Sequence, residues 1–114
     1  NYASFRFSMG DLPEAVDVAL EERVDQLIFT WRDNSKDASG NWHLREDDQV
    51  MIMIYDSKTN SSFGTMSGAR RSSEREVIVI ERFKNATDHH IWISFISDDR
   101  QRIANSSYVG MVRL

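Results

Sequence analysis

The sequence contains no cysteine, and no apolar run approaches the roughly 18 residues that a membrane-spanning helix needs. The missing cysteine leaves no trace of a redox compartment. The missing apolar run excludes a helical membrane span. Basic residues are also in the minority: 14 Lys and Arg stand against 18 Asp and Glu, a formal net charge of −4. The two signs are interleaved, so no basic stripe exists for nucleic acid or an anionic membrane surface. No repeat and no low-complexity tract is present. The first residues, NYASFRFSMG, show no signal-peptide pattern and no initiator Met. The chain therefore reads as a fragment or processed product, with residues 1–13 an N-terminal arm or linker from a longer protein.

What is present is enough for one domain, residues 1–114. A chain of this length hides about two-thirds of the surface it exposes when unfolded, sufficient for one core without metal or disulfide. Nearly every apolar segment has period two, the signature of a strand. Phe5 and Phe7 alternate with polar neighbours and predict a first strand. Val16, Val18 and Leu20 predict a second. Val16, Leu20, Val24 and Leu27 would also fit a helix, but the abundance of Val and the later strands favour β structure. Leu27, Phe29 and Trp31 share one strand face. Residues 33–48 read as a polar loop. Further strands are expected at Val50–Asp56, Ser62–Met66, Val77–Glu81 and His90–Ser97, with the last within Ile103–Leu114. The segment SGARRSSERE reads as an exposed loop.

Seven or eight short strands separated by turn residues imply an all-β fold, an antiparallel sandwich of about seven strands. Its shape would be fibronectin type III-like or immunoglobulin-like; FTW before a polar loop is similar to the second strand of fibronectin type III-like sandwiches. Trp31 would plug the core where the sheets meet their loops, with Asp33, Asn34 and Ser35 starting the turn into solvent. Val50–Tyr55 and Ile91–Ile96 are apolar on both faces, whereas a small sandwich normally keeps one face wet. The outer side of Met51, Met53 and Tyr55, or of Trp92 and Ile96, must therefore be covered. Tyr2–Phe7 is the nearest candidate within the chain, and another subunit is the alternative.

The stretches FTWRDNS, VMIMIYDSKTNSSFGT, GARRS and IWISFISDDRQRIANSSYVG together resemble an uncharacterised family of Bacteroidetes proteins, a domain of unknown function. In that family they read approximately as F-T-W-x-D-N-S, an apolar strand into a Y-N-P turn, G-A-x-R, and F-V-S-x-D-G-K-x-x-S-N-S-x-Y-x-G. The resemblance spans about residues 25–112 and is most specific in its last piece. It implies a sandwich, a bacterial source and the C-terminal half of a longer protein, and it supplies no activity. The sequence departs from the pattern at Asp98–Arg102, which lacks the Asp-Gly turn, and after Trp31, where a longer loop contains Trp42 and His43. With a bacterial source, the sequons at Asn60, Asn85 and Asn105 carry little weight.

Chemistry-bearing residues do not converge. Asp33, Ser35, Asp37, Ser39 and Asn41 alternate as in a calcium loop, but Ala38 and Leu44 occupy the positions that need Gly and Glu. His89 and His90 are adjacent on a strand, so they point to opposite faces and cannot easily share a zinc ion with His43. No nucleophile motif or carboxylate pair stands out. The expectation is a non-enzymatic structural or interaction module without metal or cofactor. Its partner would be protein, either its own N-terminal region or another subunit. The alternative is a carbohydrate-binding module. Trp42, His43 and Trp92 are the candidate contact residues: Trp42 is an aromatic among polar loop residues, which can stack on sugars or anchor a partner, and Trp92 would be a second stacking platform.

Overall fold

A computed structural model describes residues 2–36, 45–82 and 84–114. Seven strands occur among them: β1 Val16–Glu22, β2 Gln26–Arg32, β3 Gln49–Asp56, β4 Ser61–Thr65, β5 Arg75–Val79, β6 Asp88–Ile96 and β7 Ser107–Arg113. They form a three-stranded sheet in the order β1-β2-β5 and a four-stranded sheet in the order β4-β3-β6-β7, with every pairing antiparallel. The all-β sandwich expected from the alternation is the observed fold. The helical reading of residues 16–27 fails because Leu20 pairs with Phe29 across β1 and β2, and Glu22 pairs with Leu27.

The core is the set of side chains that period two sends inward. Leu27, Phe29 and Trp31 of β2 face Val50, Ile52 and Ile54 of β3 and Ile91, Ile93 and Phe95 of β6. Val112 and Leu114 of the C-terminal end join them. Each such side chain contributes about 1.5–3 kcal/mol by leaving water. Trp31 meets Phe95 edge to face at 5.5 Å. Its indole N–H donates to the Arg71 carbonyl at 2.8 Å, so its one polar group is satisfied inside.

Two local expectations are corrected. Phe5 and Phe7 do not belong to a strand: Tyr2–Ser4 is a 3-10 turn, and the chain then runs to Gly10 without strand pairing, with a bend at Phe7. Period two over three residues cannot distinguish a paired strand from an unpaired segment lying on a sheet. The loop SGARRSSERE is not wholly exposed either, because Arg71 is fully buried.

The N-terminal segment lies across the outer face of the four-stranded sheet. On that face Met53 pairs with Trp92, Tyr55 with His90, and Trp92 with Tyr108. Tyr2 stacks on the His90 ring, with centroids 3.7 Å apart. Phe5 meets Trp92 edge to face at 5.4 Å, and the Phe5 carbonyl accepts the Trp92 indole N–H at 2.8 Å. Ser8 anchors the strap through its hydroxyl, 2.8 Å from the Ala104 carbonyl and 3.0 Å from Ser94 Oγ. The Ser106 N–H donates to the Ser8 carbonyl at 3.0 Å. Leu12 then enters the core beside Ala104.

Candidate functional site

Among the described residues, three constellations of polar or aromatic side chains outside the apolar core are candidates to carry chemistry. The first closes the end of the sandwich where β2 leaves and β3 begins. Arg71 and Asp48 are both fully buried there, and Arg71 Nε donates to Asp48 Oδ2 at 3.0 Å. The other arms of the guanidinium reach Asn34 Oδ1 at 2.8 Å and the Pro13 carbonyl at 3.2 Å, and its Cζ lies 4.0 Å from the Phe95 ring centroid. One side chain thus ties together the N-terminal segment, the loop after β2 and the loop after β4. Burial pushes the Asp48 carboxyl above its ordinary range, against the Arg45 N–H and the attraction of Arg71. Burial likewise lowers Arg71, against the attraction of Asp48. Both shifts say that the pair is desolvated, and Asp48 Oδ1 has no hydrogen-bond partner.

The second constellation sits at the opposite end. The buried His89 places Nε2 3.9 Å from Asp56 Oδ2, and its Nδ1 lies 3.0 Å from the Thr87 carbonyl. Asp56 accepts from the Lys58 N–H at 3.0 Å and from the Thr59 hydroxyl at 2.9 Å. Desolvation works against its charge, but these hydrogen bonds and the His89 ring outweigh it and hold the carboxyl below its ordinary range. Asp56 therefore organises the β3–β4 turn. Its carboxylate oxygens are occupied by that turn, an arrangement that builds a hairpin.

The third constellation is a cleft on the outer face of the four-stranded sheet, about 540 Å³ in volume, lined by Tyr2, Phe5, Met53, Tyr55 and Asn60. The Tyr2 and Tyr55 rings stand 6.3 Å apart, inclined at 41°. The Tyr55 hydroxyl donates to Asn60 Oδ1 at 2.8 Å. Asn60 closes the β3–β4 turn at φ 55°, a left-handed conformation that Asn tolerates better than most residues. Behind the cleft, His90 Nδ1 and the Tyr108 hydroxyl share a 2.9 Å hydrogen bond.

Against this geometry, the residues singled out from sequence separate. Trp42 and His43 lie outside the described residues, as do Asp37, Ser39 and Asn41 of the calcium-like alternation. Trp92 is only 1% exposed beneath Phe5, with its N–H already bonded. It supports the wall of the cleft and offers no ring face to solvent. His89 and His90 do face opposite sides: one sits over Asp56 and the other under Tyr2. Among the described residues no three His, Cys, Asp or Glu side chains are grouped as metal ligands.

Sequence reasoning named Tyr2 only within the covering segment Tyr2–Phe7, read Asp48 with Glu46 and Asp47 as a solvated run although it is buried, and did not single out Asn60 or Arg71. Tyr2 and Asn60 meet only through the fold. Arg71 and Asn34 did leave a trace, because both lie in the stretches GARRS and FTWRDNS on which the resemblance rests. Those stretches carry the buried clamp. Likewise Ser106 and Tyr108, in the stretch ending SSYVG, hold the strap and pack against Trp92. No curated protein matches the chain, and no solved structure matches it. A family model does match residues 1–110, so this chain belongs to the family of unknown function DUF6266.

Proposed function

We propose that the chain is a non-enzymatic structural module that joins neighbouring copies strand to strand through β4. The observation that carries this is the state of the four sheet edges. Natural sheets guard their edges with charges, bulges or cover. β1 has a register shift between Val16 and Ala19 and bears Asp17, Glu21 and Glu22. β5 begins with Arg75 and Glu76. β7 faces a shift between Ile91 and Trp92 and ends in Arg113. β4, with the sequence SSFGT, has neither a charge nor a shift in register. Paired antiparallel with itself about a two-fold axis, it would set no like charges against one another, which closed dimers require. Within β4, Phe63 is 41% exposed; Val79 of β5 is 76% exposed, and the two line a crevice with Ile80 and Glu81.

The fold supports a fibronectin type III-like likeness over a constant-type immunoglobulin one. The fourth strand pairs with β3, whereas in the constant-type arrangement it sits beside the fifth. The place of the module as the C-terminal half of a longer bacterial protein rests on the sequence resemblance alone.

Sedimentation velocity from micromolar to near-millimolar concentration tests the proposal. The intact chain is expected to shift from monomer to dimer. Ser62→Lys, an exposed position on β4, should remain monomeric with an unchanged circular dichroism spectrum. A wild-type chain that stays monomeric across the whole range would overturn the proposal.

A further inference from the structure

We propose that the cleft formed by Tyr2, Phe5, Met53, Tyr55 and Asn60 binds a neutral sugar ring. It lies on the outer face of the four-stranded sheet, whereas Phe63, opposite the core residue Ile54, lies on the inner side.

The argument begins with charge. None of the five lining residues is Asp, Glu, Lys, Arg or His. A phosphate, a carboxylate or a cationic side chain would find no counter-charge among them, and desolvating such a group without a partner is costly. The walls are aromatic rings with solvent-facing surface: Tyr2 is 40% exposed and Phe5 51%. An aromatic face is electron-rich. It attracts the weakly positive C–H bonds that line one face of a pyranose ring.

The polar equipment fits the same ligand. Asn60 Oδ1 is occupied by the Tyr55 hydroxyl, which leaves the amide NH₂ without a protein partner at the exposed rim. The Tyr55 oxygen, having donated its hydrogen, can still accept. One donor and one acceptor side by side match adjacent hydroxyls on a sugar. A volume of about 540 Å³ lies within the ordinary range of small-ligand sites and accommodates one or two rings. Both the wall and the polar pair are held from behind. His90 stacks on Tyr2, and Asp56 fixes the turn that presents Asn60. The side chains are thus positioned before any ligand arrives.

The test is an NMR titration of the intact chain with neutral oligosaccharides, namely the gluco-, xylo-, manno- and galacto-hexaoses, and with oligogalacturonate as the charged control. At least one neutral saccharide should shift the Tyr55 and Asn60 resonances saturably, and oligogalacturonate should not. Asn60→Gly keeps the left-handed turn and removes the amide; it should weaken binding about tenfold, the equivalent of one good hydrogen-bond pair. Tyr55→Phe keeps the ring and should weaken binding less. A well-dispersed spectrum shows that each variant is folded. The proposal is overturned if no neutral saccharide binds, if Asn60→Gly binds as tightly as wild type, or if only an apolar peptide such as tetraleucine occupies the cleft.

Discussion

Arg71 shows how a residue type can mislead. In the sequence it stands among Arg70, Ser72, Ser73 and Glu74, a composition that normally marks solvent. In the fold it is the most buried cation described, tied to Asp48, Asn34, Pro13 and the Phe95 ring. Removing one partner of a buried pair leaves an uncompensated charge, so Arg71→Ala should lose about 3–5 kcal/mol in urea denaturation. The double variant Arg71→Met, Asp48→Leu should lose clearly less, because both desolvation costs disappear together. Trp31 was legible, since period two and the polar residues after it both mark the end of an inner strand. Trp31→Ala should also cost about 3–5 kcal/mol.

The acids carry opposite pH signatures. Asp56 is held below its unfolded value near 3.8, so its contribution is present above that pH and lost as pH falls through its lower folded value. Asp48 is raised above 3.8, so its ionisation costs stability as pH rises from there through its folded value. Urea denaturation across the acid range should show a flatter acid rise for Asp56→Asn. Asp48→Asn should lose the opposing decline, whatever its effect on overall stability.

Among elements, the strands were readable, and Tyr2–Phe7 was readable as the cover of the outer face but not in its conformation. Alternation placed all seven strands within a few residues because each buries one face against the other sheet. The N-terminal segment lies on the sheet through Tyr2, Phe5 and Ser8 without joining a strand ladder, and such an element is not specified by period two. The need for a cover was nonetheless visible in the two-sided apolar strands β3 and β6. Deleting residues 1–8 should expose Trp92 and its neighbours, increase hydrophobic-dye binding and lower stability; a dye-silent, equally stable truncation would mean that the strap contributes nothing. The turn Asp98–Arg102 holds a left-handed residue without glycine. Arg100 takes φ 66°, and its guanidinium bonds Met66 O and Gln49 Oε1, each at 3.0 Å, and also Ser67 Oγ. Those contacts offset a backbone conformation that costs most residues about 1–2 kcal/mol.

Across the whole molecule, chemistry-bearing groups and exposed surfaces are divided. The acid–base pairs at the two ends of the sandwich are engaged in holding loops, while the outer cleft and the β4 edge face solvent. The sandwich class was legible because it follows from local alternation. The cleft was not, since it is assembled from residues 2–5, 53–60 and the strand behind them, which only the pairing of β3 with β6 brings together. Nor could the sequence rank the four edges, because edge position is a property of sheet order.

Hydrogen–deuterium exchange at the β4 amides tests the proposal that this strand joins neighbouring copies. In dilute solution the outward-facing amides of Ser61–Thr65 should exchange rapidly. In concentrated solution they should become protected while those of β1, β5 and β7 remain unchanged, and Ser62→Lys should abolish the difference. Exchange at β4 that is independent of concentration, or protection appearing at another edge, would contradict the account.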